Sequence, residues 1–198
     1  MLVIATKNAG KMREFRRILP TMEMQSMLDA GITEEIEENG KTFEENALIK
    51  ARAVCKKSGM VAVADDSGLC VDALDGAPGI YSARYAGASA TDAERVEKLL
   101  KALENTEEER RGAAFVCAVA LVTPSGEEHV FVGRCRGIIT RAARGANGFG
   151  YDPVFLVQEE GRTFAELDGA VKDKISHRAI ALSKLKLFLE ERENRPIE

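Results

Sequence analysis

Along the first half of the chain, short apolar runs alternate with helical stripes. Residues 2–5 read as a strand, and residues 8–19 as a helix with Met12, Phe15 and Leu19 on one face, closed by Pro20. A short strand is expected near 23–27, followed by an acidic loop over 34–40. Thr42-Phe43-Glu44-Glu45 has the form of a capping box and opens a helix that runs to about Ser58. The apolar run 61–64 is the next strand, and it stops at two adjacent carboxylates, Asp65 and Asp66, followed by Ser67 and Gly68. Residues 76–88 are rich in Gly, Pro and Ser and form a structured loop. A second capping box, Thr91-Asp92-Ala93-Glu94, starts a helix to about Leu103, and the charge run 104–111 is solvated surface. Strands 113–121 and 127–135 meet at Thr123-Pro124-Ser125-Gly126, which has hairpin chemistry. A glycine-rich stretch, 145–150, precedes an apolar strand at 153–157, and a helix from about Ser176 to Glu190 closes the chain. Strand–helix units combined with a hairpin predict an α/β fold with a mixed sheet flanked by helices, in one domain over 1–198 without a separable linker.

Composition narrows the partners. A 198-residue chain that is 45% hydrophobic and 30% charged can bury a sizeable core. A net charge of −4 argues against a surface built for nucleic acid. No apolar run has bilayer length and the first residues carry no signal-peptide pattern, so the expected address is the cytoplasm, away from membranes. Cys55, Cys70, Cys117 and Cys135 include no Cys-x-x-Cys pair, which supports neither a zinc knuckle nor a disulfide framework. With only His129 and His177, a histidine-rich metal site is excluded; any metal must be hard and held by oxygen.

Four clusters can carry chemistry, and each has a plainer reading beside it. Carboxylates at a buried strand end are expensive unless a metal or cation pairs with them, yet Asp-Ser-Gly also makes an ordinary turn. The first strand–helix junction, Thr6-Lys7-Asn8-Ala9-Gly10-Lys11, aims free N–H groups and a positive dipole end at one point. Lys7 and Lys11, four apart, are expected to share a helix face there; equally, Thr6 or Asn8 is an N-cap among surface lysines. Lys172, Lys174, His177 and Arg178 form a cationic cluster where the last helix begins, or are surface charges after a Ser cap. Gly148-Phe149-Gly150-Tyr151-Asp152-Pro153 offers aromatics that can stack on a nucleobase and a carboxylate that can accept from base N–H groups, or else a tight turn with rings in the core. Together the clusters fit one ligand: a phosphate chain, a metal with carboxylates from Glu37, Glu38, Asp65 or Asp66, and a flat heterocycle.

At these residues the chain resembles the inosine triphosphate pyrophosphatase family. The resemblance rests on Thr6-Lys7-Asn8-x-x-Lys11, Thr42-Phe43-x-Glu45-Asn46-Ala47, Lys50-Ala51, Ala64-Asp65-Asp66-Ser67-Gly68-Leu69 and Gly76-x-Pro78-Gly79-x-x-Ser82-Ala83-Arg84. It continues through Gly148–Pro153 and Ser176-His177-Arg178, so it spans nearly the whole chain. Lys7 departs from the family's usual Gly or Thr. The resemblance implies an elongated sheet, two lobes around a central active-site cleft, and a homodimer. It implies hydrolysis of dITP, ITP and XTP to the monophosphate and pyrophosphate, cleansing the nucleotide pool, with Mg²⁺ as cofactor. Thr6, Lys7, Asn8, Ala9, Gly10 and Lys11 would hold the phosphates, with Lys50 and Ser67 also contacting substrate. Asp66 would be the proton acceptor and a metal ligand, with Glu38 the second ligand. Phe149, Gly150, Tyr151, Asp152, Lys172, His177 and Arg178 would line the base and sugar pocket. Asp66 would orient or deprotonate the water that attacks the α-phosphorus. Arg178 or backbone N–H groups would select a 6-oxo over a 6-amino purine, which a polar site can do by roughly 10⁴-fold. The alternatives are a pyrophosphatase for other modified nucleotides and a nucleotide-binding regulator without turnover.

Overall fold

The computed structural model describes residues 1–193. Its strands are β1 (Leu2–Ile4), β2 (Met24–Ser26), β3 (Ala62–Val71), β4 (Gly112–Val122), β5 (Glu128–Ile139), β6 (Phe155–Val157) and β7 (Arg162–Thr163). The helices are α1 (Ala9–Ile18), α2 (Phe43–Ser58), α3 (Asp92–Ala102), α4 (Gly169–Ile175) and α5 (His177–Glu193). The strands form one mixed sheet in the order β2-β1-β3-β4-β5-β6-β7. β1 runs parallel to both β2 and β3, while β6 is antiparallel to β5 and β7. The expected α/β class and mixed sheet are therefore found.

The chain divides into two units. The first comprises Met1–Asp66, Cys117–Gly133 and the segment from His177. Its core joins Ile4 and Val63 of the central strands to Met12, Phe15 and Leu19 of the α1 face, and to Ala181, Leu182 and Leu185 of α5. That is the predicted α1 stripe, buried against a sheet as a one-sided helix must be. Gly133 lets α5 approach the sheet: a Cβ there would lie 2.1 Å from the His177 carbonyl oxygen and 2.6 Å from Ala181 N. Only a residue without a side chain permits the first turn of α5 to sit so close.

The second unit comprises Ser67–Val116 and Arg134–Ser176. Its core packs Phe115 against Phe155, tilted, and Phe164, stacked, at centroid distances of 4.6 and 5.8 Å, together with Leu99 of α3 and Leu103 just after it. Arg111 is buried here and donates to four carbonyls, those of Leu103, Thr106, Ile139 and Thr140, at 2.7–3.5 Å. Leu103 closes α3, so the guanidinium satisfies one of the carbonyls a helix end leaves open.

Two expectations are corrected. β3 does not stop at Ala64 but runs on through both carboxylates to Val71, with Lys11 and Arg178 paired to Asp65 and Lys50 standing near Asp66. The Thr42 box is half made: Thr42 Oγ1 accepts from Glu45 N, but the Glu45 carboxylate turns to Lys41 N at 2.6 Å. The Thr91–Glu94 box is complete.

Candidate active site

Adjacent residues of a strand point to opposite faces, and β3 gives Asp65 and Asp66 different company. Asp65, 1% exposed, lies 2.9 Å from Arg178 Nη2 and 3.0 Å from Lys11 Nζ. Arg178 is as deeply buried and donates from its third nitrogen to Glu14 of α1. Burial alone would raise the Asp65 pKa, but Lys11, Arg178 and Lys50 outweigh it and hold the carboxyl below the usual carboxylate range. Burial lowers the Arg178 pKa, but Asp65 and Glu14 outweigh it and raise the group. Cys117 lies under this cluster and its thiol is pushed up to about 12, first by burial and then by Asp65.

Asp66 faces α2 instead. Asn46 Nδ2 donates to its Oδ2 at 3.2 Å, and Lys50 Nζ stands 3.6 Å from its Oδ1. Burial raises the Asp66 pKa; Lys50 and Lys11 oppose the shift and the Glu38 charge adds to it. The Lys50 ammonium also lies 2.9 Å from Glu38 Oε2, so one lysine holds the two carboxylates expected to bind metal. Glu37, by contrast, is exposed. Among the described residues no three His, Cys, Asp or Glu side chains cluster as a metal site. Two hard carboxylates match Mg²⁺, which takes its remaining ligands from phosphate and water.

The β1–α1 junction is built as a cap. Asn8 is the N-cap, accepting from Lys11 N at 3.1 Å, and Thr6 Oγ1 accepts from Asn8 N at 3.2 Å. The helix starts at Ala9, so Lys7 lies outside it and the shared helix face with Lys11 is not found. The two lysines diverge: Lys11 turns to Asp65, while Lys7 Nζ donates to the Thr33 carbonyl at 2.7 Å. Ala9 and Gly10 form the first turn of α1, and His177 the first residue of α5, buried beside Arg178.

The second unit assembles the other predicted group. Asp152 Oδ2 accepts from Phe149 N at 3.0 Å and pairs with Lys172 Nζ at 2.6 Å. That ammonium lies 5.0 Å from the Phe149 ring centroid, a cation–π contact, and Phe149 keeps part of its surface open. Gly148 has φ +78°, and a Cβ there would meet Asp152 Oδ2 at 1.9 Å, so the loop closes onto its carboxylate only through glycine. Gly150 N donates to Asp92 Oδ2 at 2.7 Å, which fastens the loop to α3. Tyr151 belongs to the core, its hydroxyl donating to the Ser82 carbonyl at 2.9 Å. Ser67, on β3, is half-buried.

Sequence reasoning missed Glu14 and left Asn46 without a role. A charged residue one place before a core phenylalanine on α1 was the available signal for Glu14. The expected use of Arg178 on a purine O6 meets a guanidinium turned to Asp65 and Glu14, because a buried cation needs carboxylates around it.

Comparison with known proteins follows the same lines. The sequence model of the Ham1 family matches residues 2–188. A dITP/XTP pyrophosphatase of Bacillus licheniformis is 53% identical over 192 residues, covering 96% of this chain and 98% of that one. The Bacillus subtilis protein of the same name is 49% identical over 190 residues, covering 95% and 96%. Among solved structures, a HAM1 protein from Coxiella burnetii superposes with a TM-score of 0.87 at 45% identity, over 96% of this chain and 98% of that chain. The Staphylococcus aureus Ham1 protein gives the same TM-score at 44% identity, with the same coverage.

Proposed function

Since the chain belongs to the Ham1 family, we propose that it hydrolyses dITP, XTP and ITP to the nucleoside monophosphate and pyrophosphate. It is a nucleoside triphosphate pyrophosphatase, a hydrolase of nucleotide metabolism, as the resemblance read from its motifs implied. The single observation carrying the reaction is the pairing of Glu38 and Asp66 through Lys50.

Thr6, Asn8, Lys11 and the N–H groups at the start of α1 bind phosphate oxygens, with the helix dipole aiding. Lys7 and Lys50 supply further positive charge, and Ser67 a hydroxyl. Glu38 and Asp66 hold Mg²⁺, which when bound neutralises the charge that develops on the phosphates. Asp66 orients the attacking water toward the α-phosphorus and takes up its proton. Asp65 orients Lys11 and Arg178. Phe149 stacks on the base, and the Asp152–Lys172 pair, with loop N–H groups, reads its edge. A 6-amino group facing those donors would be rejected. The protein works as a homodimer in the cytoplasm, on free nucleotides; no helix among the described residues is long and apolar enough to cross a membrane.

Pyrophosphate release is measured from dITP, XTP, ITP, dATP and a panel of modified pyrimidine triphosphates, with Mg²⁺ and with EDTA. Turnover of the 6-oxo purines alone, lost in EDTA and reduced roughly 10²–10⁴-fold in Asp66→Asn, is expected. Equal turnover of dATP refutes the selectivity. Binding of dITP without pyrophosphate release refutes the enzyme reading.

A further inference from the structure

Asn46, on the first turn of α2, is 1% exposed and uses both ends of its amide. Oδ1 accepts the Gly40 N–H at 2.9 Å, while Nδ2 donates to Asp66 Oδ2 at 3.2 Å. This orientation is the one chemistry allows: exchanging O and N would set a carbonyl oxygen against a carboxylate and an NH₂ against an N–H. Gly40 is matched to it, since a Cβ there would lie 2.7 Å from Asn46 Oδ1 and 2.7 Å from the Glu45 Cβ. One turn further along the same face of α2, Lys50 bridges Glu38 and the other oxygen of Asp66. The acidic loop and Asp66 are thus tied to α2 at two levels, once through a neutral amide and once through a charge.

The terminal torsion of an aspartate is broad, so a single contact leaves its carboxylate plane loosely set. Asn46 on Oδ2 and Lys50 on Oδ1 pin it from both sides.

We propose that Asn46 is a positioning residue for the hydrolysis: through its amide it sets the carboxylate plane of Asp66 relative to the acidic loop that carries Glu38. This rests on the assignment of Asp66 as the group that orients the water.

The test uses the full chain, steady-state dITP hydrolysis, thermal melts and binding of the non-hydrolysable α,β-methylene analogue of dITP. Asn46→Ala removes both contacts. Gly40→Ala leaves Asn46 in place but drives its amide aside, from a different segment. In both, kcat is expected to fall roughly 10–100-fold, the range for residues that orient a ligand or catalytic group. KM and analogue affinity are expected to stay near wild type. A merely structural role would instead lower Tm and analogue affinity and leave kcat on the folded fraction unchanged; that result overturns the proposal. If Asn46→Ala does not fold, Gly40→Ala carries the same test. Asp66→Asn separates the layers. An inactive Asp66→Asn beside wild-type kcat in Gly40→Ala removes this inference alone, whereas an active Asp66→Asn removes the reading beneath it as well.

Discussion

Replacing Asp65 by Asn changes one charge and almost no volume, so its effect isolates electrostatics from cavity formation. The Asp65 side chain is 0% exposed and that of Arg178 is 1% exposed, at a separation of 2.9 Å. Removing the anion leaves Arg178 with Glu14 and strips Lys11 of a partner 3.0 Å away. Breaking a buried pair from one side costs about 3–5 kcal/mol, because the remaining charge stays desolvated. For a chain of this size 1 kcal/mol moves Tm by about 2–4 °C, so a fall of roughly 6–20 °C is expected. The control is Glu128→Gln on the opposite kind of pair. Arg52 reaches Glu128 with bidentate bonds of 2.7 and 2.6 Å, yet their side chains are 53% and 33% exposed. Solvent screening holds such a pair to about 0–1 kcal/mol despite its geometry. Urea and thermal melts followed by far-UV circular dichroism compare the two variants at neutral pH. The triple variant Asp65→Asn/Arg178→Met/Glu14→Gln should recover part of the loss, since it removes the three buried charges together. A loss in Asp65→Asn no larger than in Glu128→Gln would refute the claim that desolvation sets the value of this cluster.

Arg111→Lys should destabilise by about 1–3 kcal/mol for each carbonyl left without a donor, because an ammonium cannot reproduce the guanidinium fork; urea melts would show this, and an unchanged midpoint would contradict it. Gly148→Ala forces a residue to φ +78° and pushes Asp152 away from Lys172, so KM for dITP should rise about tenfold or more for a cost of 1–2 kcal/mol while Asp66-dependent kcat changes less. Thiol counting offers a third check. All four cysteines are free, three of them buried, and with its pKa near 12 Cys117 holds about one thiolate in 10⁴ at pH 8. Ellman's reagent at pH 8 should therefore leave Cys117 untouched in the native state and count four thiols in denaturant; rapid native labelling of Cys117 by mass spectrometry would show that the cluster opens.

Much of the fold was legible because its signals are local. The α1 stripe, the Asn8 and Thr91 caps and the turn at Thr123–Gly126 are decided within a few residues by periodicity and side-chain capping. What escaped was decided at a distance. β3 continues through two aspartates because Arg178, 113 residues on in the chain, reaches Asp65. α4 spans Gly169–Ile175, too short and too charged for an apolar period to stand out, and β7 has only two residues. Of the two readings the glycine-rich loop held, Tyr151 follows the core one, its ring buried, while Phe149 stays partly open. The roles of Glu14 and Asn46 depend on which partner the fold brings to them, and no spacing encodes that.

The two neighbouring carboxylates show how one strand can make two different groups from the same residue type. Asp65 and Asp66 start from the same ordinary pKa and are both buried, so desolvation pushes both upward. The difference lies in the partners each face of the strand supplies. On one side Lys11 and Arg178 hold Asp65 ionised and make it a fixed anion that orients cations. On the other, an amide and one lysine shared with Glu38 leave Asp66 raised. In the proposed reaction this separates a structural charge, Asp65, from the group that orients the water, Asp66. Exchanging their surroundings, not their identities, is what would exchange their roles. A lysine or arginine introduced at Asn46 should draw Asp66 toward the behaviour of Asp65 and reduce dITP turnover while leaving the protein folded. Retained turnover in a folded Asn46→Lys variant would show that the basicity of Asp66 does not matter to the reaction.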